Sequence, residues 1–189
     1  MRLENSFEVS APPEQAWSLL MDVPRVIPCM PGAELTEMID ASTWKAKMQV
    51  KLGPIGLAFA TDVKREEVDE AARRVKLSAR ARELRGRGGA QAMIESSIAS
   101  LDGITRVDIV TELSLSGAVA QYGRGLVQDV SQQLVSRFAE CLQAQLAAIP
   151  EEAQAAVDAS ARPVAGLSLA LGALGRAIAR FLGRFVGRN

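Results

Sequence analysis

Four arginines, Arg176, Arg180, Arg184 and Arg188, fall at every fourth residue near the C-terminus, with Leu, Ile, Phe and Val between them. On a helix that spacing gathers cationic groups on one side and apolar groups on the other, a pattern made for anionic headgroups rather than for bond-making. Residues for catalysis are harder to find. The chain has no histidine, which removes imidazole bases, His triads and His-ligated zinc or haem. It has no paired-carboxylate motif, CxxC, GxSxG or P-loop either. Glu95, Asp108 and Glu112 are the nearest acid–base candidates, and their spacing lends them no support. Cys29 and Cys141 stand far apart with no metal-type spacing, so a reducing, cytoplasmic location is the simplest inference. Cys29 has no adjacent Lys or His to activate it and reads as structural. No catalytic residue and no metal ligand is assigned.

The charge distribution divides the chain. In all, 22 Lys and Arg balance 22 Asp and Glu across 189 residues. Beyond Asp158 there are five arginines and no acids, which leaves 17 bases against 22 acids in residues 1–158. A body with that negative balance is a poor nucleic-acid binder, and that class is excluded. The N-terminus shows no apolar h-region, so no secretory signal is expected.

The elements that must position any site follow from periodicity. "LENSFEVSA" alternates and predicts a first strand over 3–10. "PPEQAWSLLMD" predicts a helix with proline in its first turn and Ala16, Trp17, Leu19 and Leu20 on its buried side. Pro24 and Pro28 break it, leaving room for a second short helix, and Pro31-Gly32 makes a turn. From Ala33 to Ser116 the pattern is mostly strand. "STWKAKMQVKL" places Trp44, Ala46, Met48, Val50 and Leu52 on one face, with lysines opposite. Lys45, Lys47, Lys51, Lys64 and Arg65 are expected on a solvated face, and Asp102-Gly103 marks a hairpin. Over 122–149 the period changes to three and four: Leu126, Val130, Leu134, Phe138, Cys141, Leu142 and Leu146 predict one amphipathic helix, roughly 40 Å long at the standard rise. Pro150 ends it. The order of strands and helices implies an α+β fold, with the strand order left open.

Three stretches, "FEVSAPPEQAWSLLMDVPRVIPCMPGAEL", "VKLGPIGLAFATDVKREEVD" and "LSGAVAQYGRGLVQDVSQQLVSRFAECL", resemble the CoxG family, named for the CoxG component of carbon monoxide dehydrogenase. More widely the chain is similar to the START-like (SRPBCC) helix-grip superfamily of lipophilic-ligand binders. The first stretch is the most specific, with Trp17, Asp22, Cys29, Pro31 and Gly32 in the family's order. The resemblance implies a curved antiparallel sheet wrapped around a long C-terminal helix, with a hydrophobic cavity between them. It also implies a non-enzymatic accessory role at the cytoplasmic face of the membrane, beside a molybdenum hydroxylase, typically aerobic CO dehydrogenase. Such an enzyme passes electrons to quinones, so a quinone such as menaquinone is the expected ligand, with no covalent cofactor.

The residues themselves leave the cavity as one of two outcomes. Gly86, Gly88, Gly89, Ala90 and Ala92 offer little side-chain volume opposite the long helix, so either the helix moves in or a space stays open. Glycine in a strand also marks close backbone approach. The expected lining is Trp17, Met30, Met48, Phe59, Met93, Leu126, Val130, Leu134 and Phe138, with the methionines making it adaptable. Trp17 reads equally as a core residue whose N–H needs a partner.

The organisation expected is a ligand-binding domain over 1–149, a linker over 150–163 and an amphipathic cationic tail over 164–189. On a wheel the tail sets Leu167, Leu171, Leu174, Ile178, Phe181, Leu182, Phe185 and Val186 opposite Arg176, Arg180, Arg184 and Arg188. A spanning helix would place arginines in hydrocarbon at about 2.5–3.5 kcal/mol each. Lying in the interface avoids that cost and gains about 1 kcal/mol for each arginine near an anionic leaflet. Docking on an acidic protein surface is the competing reading.

Overall fold

A computed structural model describes residues 1–52 and 55–148. The chain divides into one compact unit, Met1–Gln154, and a second, Ala155–Asn189. The expected linker and the cationic tail, including Leu171 to Arg188, lie outside the described residues.

The described part is a seven-stranded antiparallel sheet with helices on its concave side. The strands are β1 (Arg2–Val9), β2 (Ala33–Met38), β3 (Thr43–Leu52), β4 (Ile55–Asp69), β5 (Arg74–Glu83), β6 (Gly88–Leu101) and β7 (Ile104–Gly117). Their order is β1-β7-β6-β5-β4-β3-β2, so β2 to β7 form a meander and β1 closes onto β7. Helices α1 (Pro13–Met21) and α2 (Val23–Val26), followed by a 3₁₀ turn at Ile27–Cys29, lie between β1 and β2. Helix α3 (Arg124–Ala147) follows β7 and is 24 residues long, a little shorter than its periodicity suggests.

Local chemistry explains these elements. Asp102 (φ 48°) and Gly103 (φ 87°) both take the left-handed conformation that a two-residue hairpin requires. Gly32 has φ 80°, and a side chain there would run into the Gln49 carbonyl, so the Pro31-Gly32 turn admits only glycine. Pro13 opens α1, where a missing N–H costs nothing. Two contacts staple α1 to the β4–β5 turn: an ion pair of Glu14 with Arg73, and a hydrogen bond from Trp17 Nε1 to Glu70 Oε2 at 2.6 Å.

The strand alternation holds on β3, where Trp44 and Ala46 are buried and Lys45, Lys47 and Lys51 are exposed. Arg65 departs from expectation. It lies on the concave face of β4, next to a bulge between Arg65 and Glu67. Its guanidinium carbon sits 5.1 Å from the centre of the Trp44 ring, and Nη2 donates to the Ala41 carbonyl at 2.6 Å. Stacking and a carbonyl acceptor replace the water that a solvated arginine would use.

The cysteines depart from expectation too. Cys29 and Cys141, 112 positions apart, form a disulfide with Cα atoms 5.3 Å apart. The fold brings the 3₁₀ turn against α3, and nothing in the local spacing announces this. Disulfides persist in oxidising surroundings, so the pair gives no support to the reading of two free thiols in a reducing compartment. Gln145 reinforces the junction by donating to the Arg25 carbonyl at 3.1 Å. Closing so long a loop restricts the unfolded chain and stabilises the fold by about 2–4 kcal/mol. Urea unfolding with and without a dithiol reductant is expected to differ by that amount, and Cys141→Ser should match the reduced protein.

Candidate ligand-binding site

The interior is built from two separate clusters of buried side chains. The upper cluster joins Phe7, Val9, Trp17, Leu19, Ile98 and Val107 to Phe138, Leu142 and Leu146 of α3. Phe7 meets Phe138 edge-on, with ring centres 5.9 Å apart. The lower cluster is smaller: Leu57, Phe59 and Val119, with Met48, Val50, Ala81, Leu115, Tyr122 and Val130 packed against it.

Between them lies the middle of the concave face. Alternation and register place Val63, Leu77, Ala79, Ala92, Ile94 and Leu113 there. These residues are half-buried and belong to neither cluster. On α3, Val130 reaches the lower cluster and Phe138 the upper one, which leaves about 12 Å of helix over this strip, with Leu134 at its centre. A filled interior would bury such residues almost completely. Small side chains from neighbouring strands, Ala79, Ala81, Ala90 and Ala92, supply too little volume to meet the helix.

The glycines act differently from what their small size suggests. A side chain on Gly88 would strike the Ser116 carbonyl, and one on Gly89 the Ala81 carbonyl. They therefore permit close strand approach, while the alanines leave the space.

The helix is held unevenly. Its last turns are buried and tied by the disulfide, whereas Leu126 in the first turn is 37% exposed. No side chain caps its start at Gly123, Arg124 faces the positive end of the helix dipole, and Gly125 is a weak helix former. Local opening costs least at this end.

The expected lining residues separate into groups. Met48, Phe59 and Val130 meet in the lower cluster, and Trp17, Met30 and Phe138 in the upper one. Leu134 lies between the clusters, and Leu126 is at the open end. Met93 stands apart: it falls on the convex face, 47% exposed, while its neighbours Ala92 and Ile94 point inward. Trp17 is 8% exposed in the upper cluster with its N–H satisfied by Glu70, so it packs the core. Glu95, Asp108 and Glu112 also lie on the convex face, each within ion-pair distance of an arginine.

Sequence reading assigns no site role to Trp44, Thr61, Arg65 or Glu83, all on the inward face. Glu83 is 2% exposed, and its Oε2 accepts the backbone N–H of Arg85 at 2.8 Å and of Arg87 at 3.0 Å. Burial works against its ionisation, and the N–H groups of Arg87 and Arg85 more than offset this, holding the carboxyl below the usual range. It is the one strand carboxylate on the inward face among the described residues.

A separate groove of about 560 Å³ opens at the edge of the sheet between β1 and α3. Glu4, Glu8 and Glu140 line it with Phe7, Val135 and Ala139, and no residue of the half-buried strip contributes. Its openness and acidic lining mark it as a surface crevice distinct from the concave interior.

The fold is the helix-grip fold of the START superfamily. A START superfamily protein from Mycobacterium smegmatis superposes with a TM-score of 0.51 at 16% identity, covering 79% of this chain and 99% of that one. A conserved protein from Geobacillus kaustophilus gives 0.69 at 22% identity, over 78% of this chain and 95% of that one. The ZhuI aromatase/cyclase of Streptomyces sp. R1128 gives 0.54 at 16% identity, over 88% and 99%. No curated protein matches the chain in sequence. The family model for CoxG, a component of carbon monoxide dehydrogenase, matches residues 6–147, and the chain belongs to that CoxG family.

The low carboxyl pKa of Glu83 gives a pH signature. A group whose pKa is depressed by folding stabilises the fold above its unfolded value, about 4.3, and loses that contribution as pH falls through the folded value. Glu83→Gln is expected to melt below the wild type at neutral pH, with the difference closing in acid. Thermal melts across that range check it.

Proposed function

We propose that the protein is a non-catalytic accessory component that holds a lipophilic molecule, a quinone such as menaquinone, in the concave interior. In this reading it recruits a molybdenum hydroxylase, aerobic CO dehydrogenase, to the cytoplasmic face of the membrane. Membership of the CoxG family supports the tie to that enzyme. The observation that carries ligand binding is the half-buried apolar strip between the two clusters, spanned by α3 and open at the less firmly held end of that helix. The outward, ion-paired positions of Glu95, Asp108 and Glu112 favour holding over catalysis. No covalent cofactor is proposed.

Membrane attachment rests on the arginine-studded tail sequence. Among the described residues no helix is long and apolar enough to cross a membrane. The body adds a supporting feature. Lys47, Lys51, Arg80, Arg82, Arg85 and Arg87 gather around the β3–β4 and β5–β6 turns, and none is within ion-pair distance of a described carboxylate. Unpaired cations suit anionic headgroups.

Two measurements test the parts separately. Full-length protein is expected to float with anionic vesicles, less so at high salt, and a variant with Arg176, Arg180, Arg184 and Arg188 all changed to Glu should stay at the bottom of the gradient. Equal flotation of the two removes the tail from the mechanism. For the interior, Ala92→Phe is the probe. In a packed core this enlargement costs about 1–3 kcal/mol; in an open interior it should cost less than about 1 kcal/mol while abolishing a lipid adduct seen by native mass spectrometry. A large loss of stability would mean that the interior is full.

A further inference from the structure

We propose that Trp44 and Thr61 form the polar end of the ligand site and bind a carbonyl oxygen carried by an otherwise apolar molecule. The inference rests on the lipophilic-ligand reading above and adds the group by which the ligand is recognised and oriented.

Two buried polar side-chain atoms have no hydrogen-bond partner among the described residues: Trp44 Nε1 and Thr61 Oγ1. Trp44 is only 2% exposed. An unsatisfied buried donor is costly, and native structures seldom keep one without a reason. Trp17 shows the ordinary arrangement, its indole N–H bonded to Glu70.

The two unsatisfied atoms belong to neighbouring side chains. In the β3–β4 register Trp44 is opposite Val63 and Ala46 is opposite Thr61. Trp44 and Thr61 are therefore diagonal partners on one face, close enough for an indole to reach over its neighbour. That face is the concave one, since Met48 and Phe59 continue the same alternation into the lower cluster. Arg65 lies over the Trp44 ring and is itself anchored on the Ala41 carbonyl, so the plane of the indole is fixed.

The chemistry narrows the ligand. An indole N–H can only donate, so its partner must be an acceptor. A threonine hydroxyl can donate as well, and a carbonyl oxygen has two lone pairs to receive both. Hydrocarbon satisfies neither atom. Water does not reach these atoms, so a ligand oxygen recovers a penalty the fold already carries without displacing a bound water. Met48 on the same face is the flexible side chain able to yield as the oxygen enters.

The test uses full-length, isotope-labelled protein and two probes of similar shape, methylnaphthoquinone and methylnaphthalene. The chain has two tryptophans, so two indole N–H resonances are expected, and Trp44→Phe identifies one of them. The quinone should move the Trp44 resonance downfield and the hydrocarbon should not. Trp44→Phe and Thr61→Val should each weaken the quinone about tenfold and leave the hydrocarbon unchanged. Thr61→Val should melt at or above the wild type, because the lost hydroxyl has no partner. Equal losses for both probes, unaltered quinone affinity, or a clear drop in the melting point of Thr61→Val would overturn the inference and leave the lipophilic reading standing. Binding of neither probe by the wild type would overturn both.

Discussion

The interior depends on α3 being fastened at one end. Phe138, Leu142 and Leu146 sink into the upper cluster, Phe7 meets Phe138 edge-on, and the Cys29–Cys141 disulfide ties the same turns to the segment before β2. A straight helix cannot follow a curved sheet along its whole length. Once its C-terminal half is fixed, the other half must either be met by bulky side chains or stand clear. The alanines at positions 79, 81, 90 and 92 do not meet it. The half-buried strip follows from those two facts together, and neither alone would produce it.

The same constraint explains where adaptability resides. The upper end has the Trp17–Glu70 hydrogen bond, the Glu14–Arg73 pair and the disulfide, all joining parts distant in sequence. The lower end has an uncapped helix start and a small cluster. Stability is thus graded along α3, and fluctuations that admit a bulky molecule concentrate at Leu126 and its surroundings. A binder whose entrance is also its least stable region can exchange ligand without unfolding its core.

Much of this architecture is legible in the residues, and the gaps have physical causes. The three-and-four spacing from Leu126 to Leu146 marks α3, because a one-sided helix leaves a periodic trace. The alternation of Trp44, Lys45, Ala46 and Lys47 marks β3 for the same reason. Met93 reads as inward from sequence because Ala92, Met93 and Ile94 are all apolar, so alternation has no contrast to show and only pairing with β7 separates the faces. The Cys29–Cys141 bond joins positions that only the tertiary fold brings together. Arg65 reads as solvated because a sequence cannot show that a bulge and an aromatic ring await it. Trp44 is visible as an apolar-face residue, but the lack of a partner for its N–H is a property of the folded neighbourhood alone.

The inward face also bears on holding versus reacting. Proton chemistry needs a group that is free to exchange and titrates near the working pH. Glu83 meets neither condition, because two backbone N–H groups of its own turn occupy the carboxylate and hold its pKa low. Arg65 is committed to Trp44 and Ala41. What remains uncommitted is an indole N–H and a hydroxyl, groups that orient an oxygen without carrying away a proton at neutral pH. An interior furnished in this way favours one pose of a bound molecule and leaves its chemistry unchanged, which suits delivery to a separate catalyst.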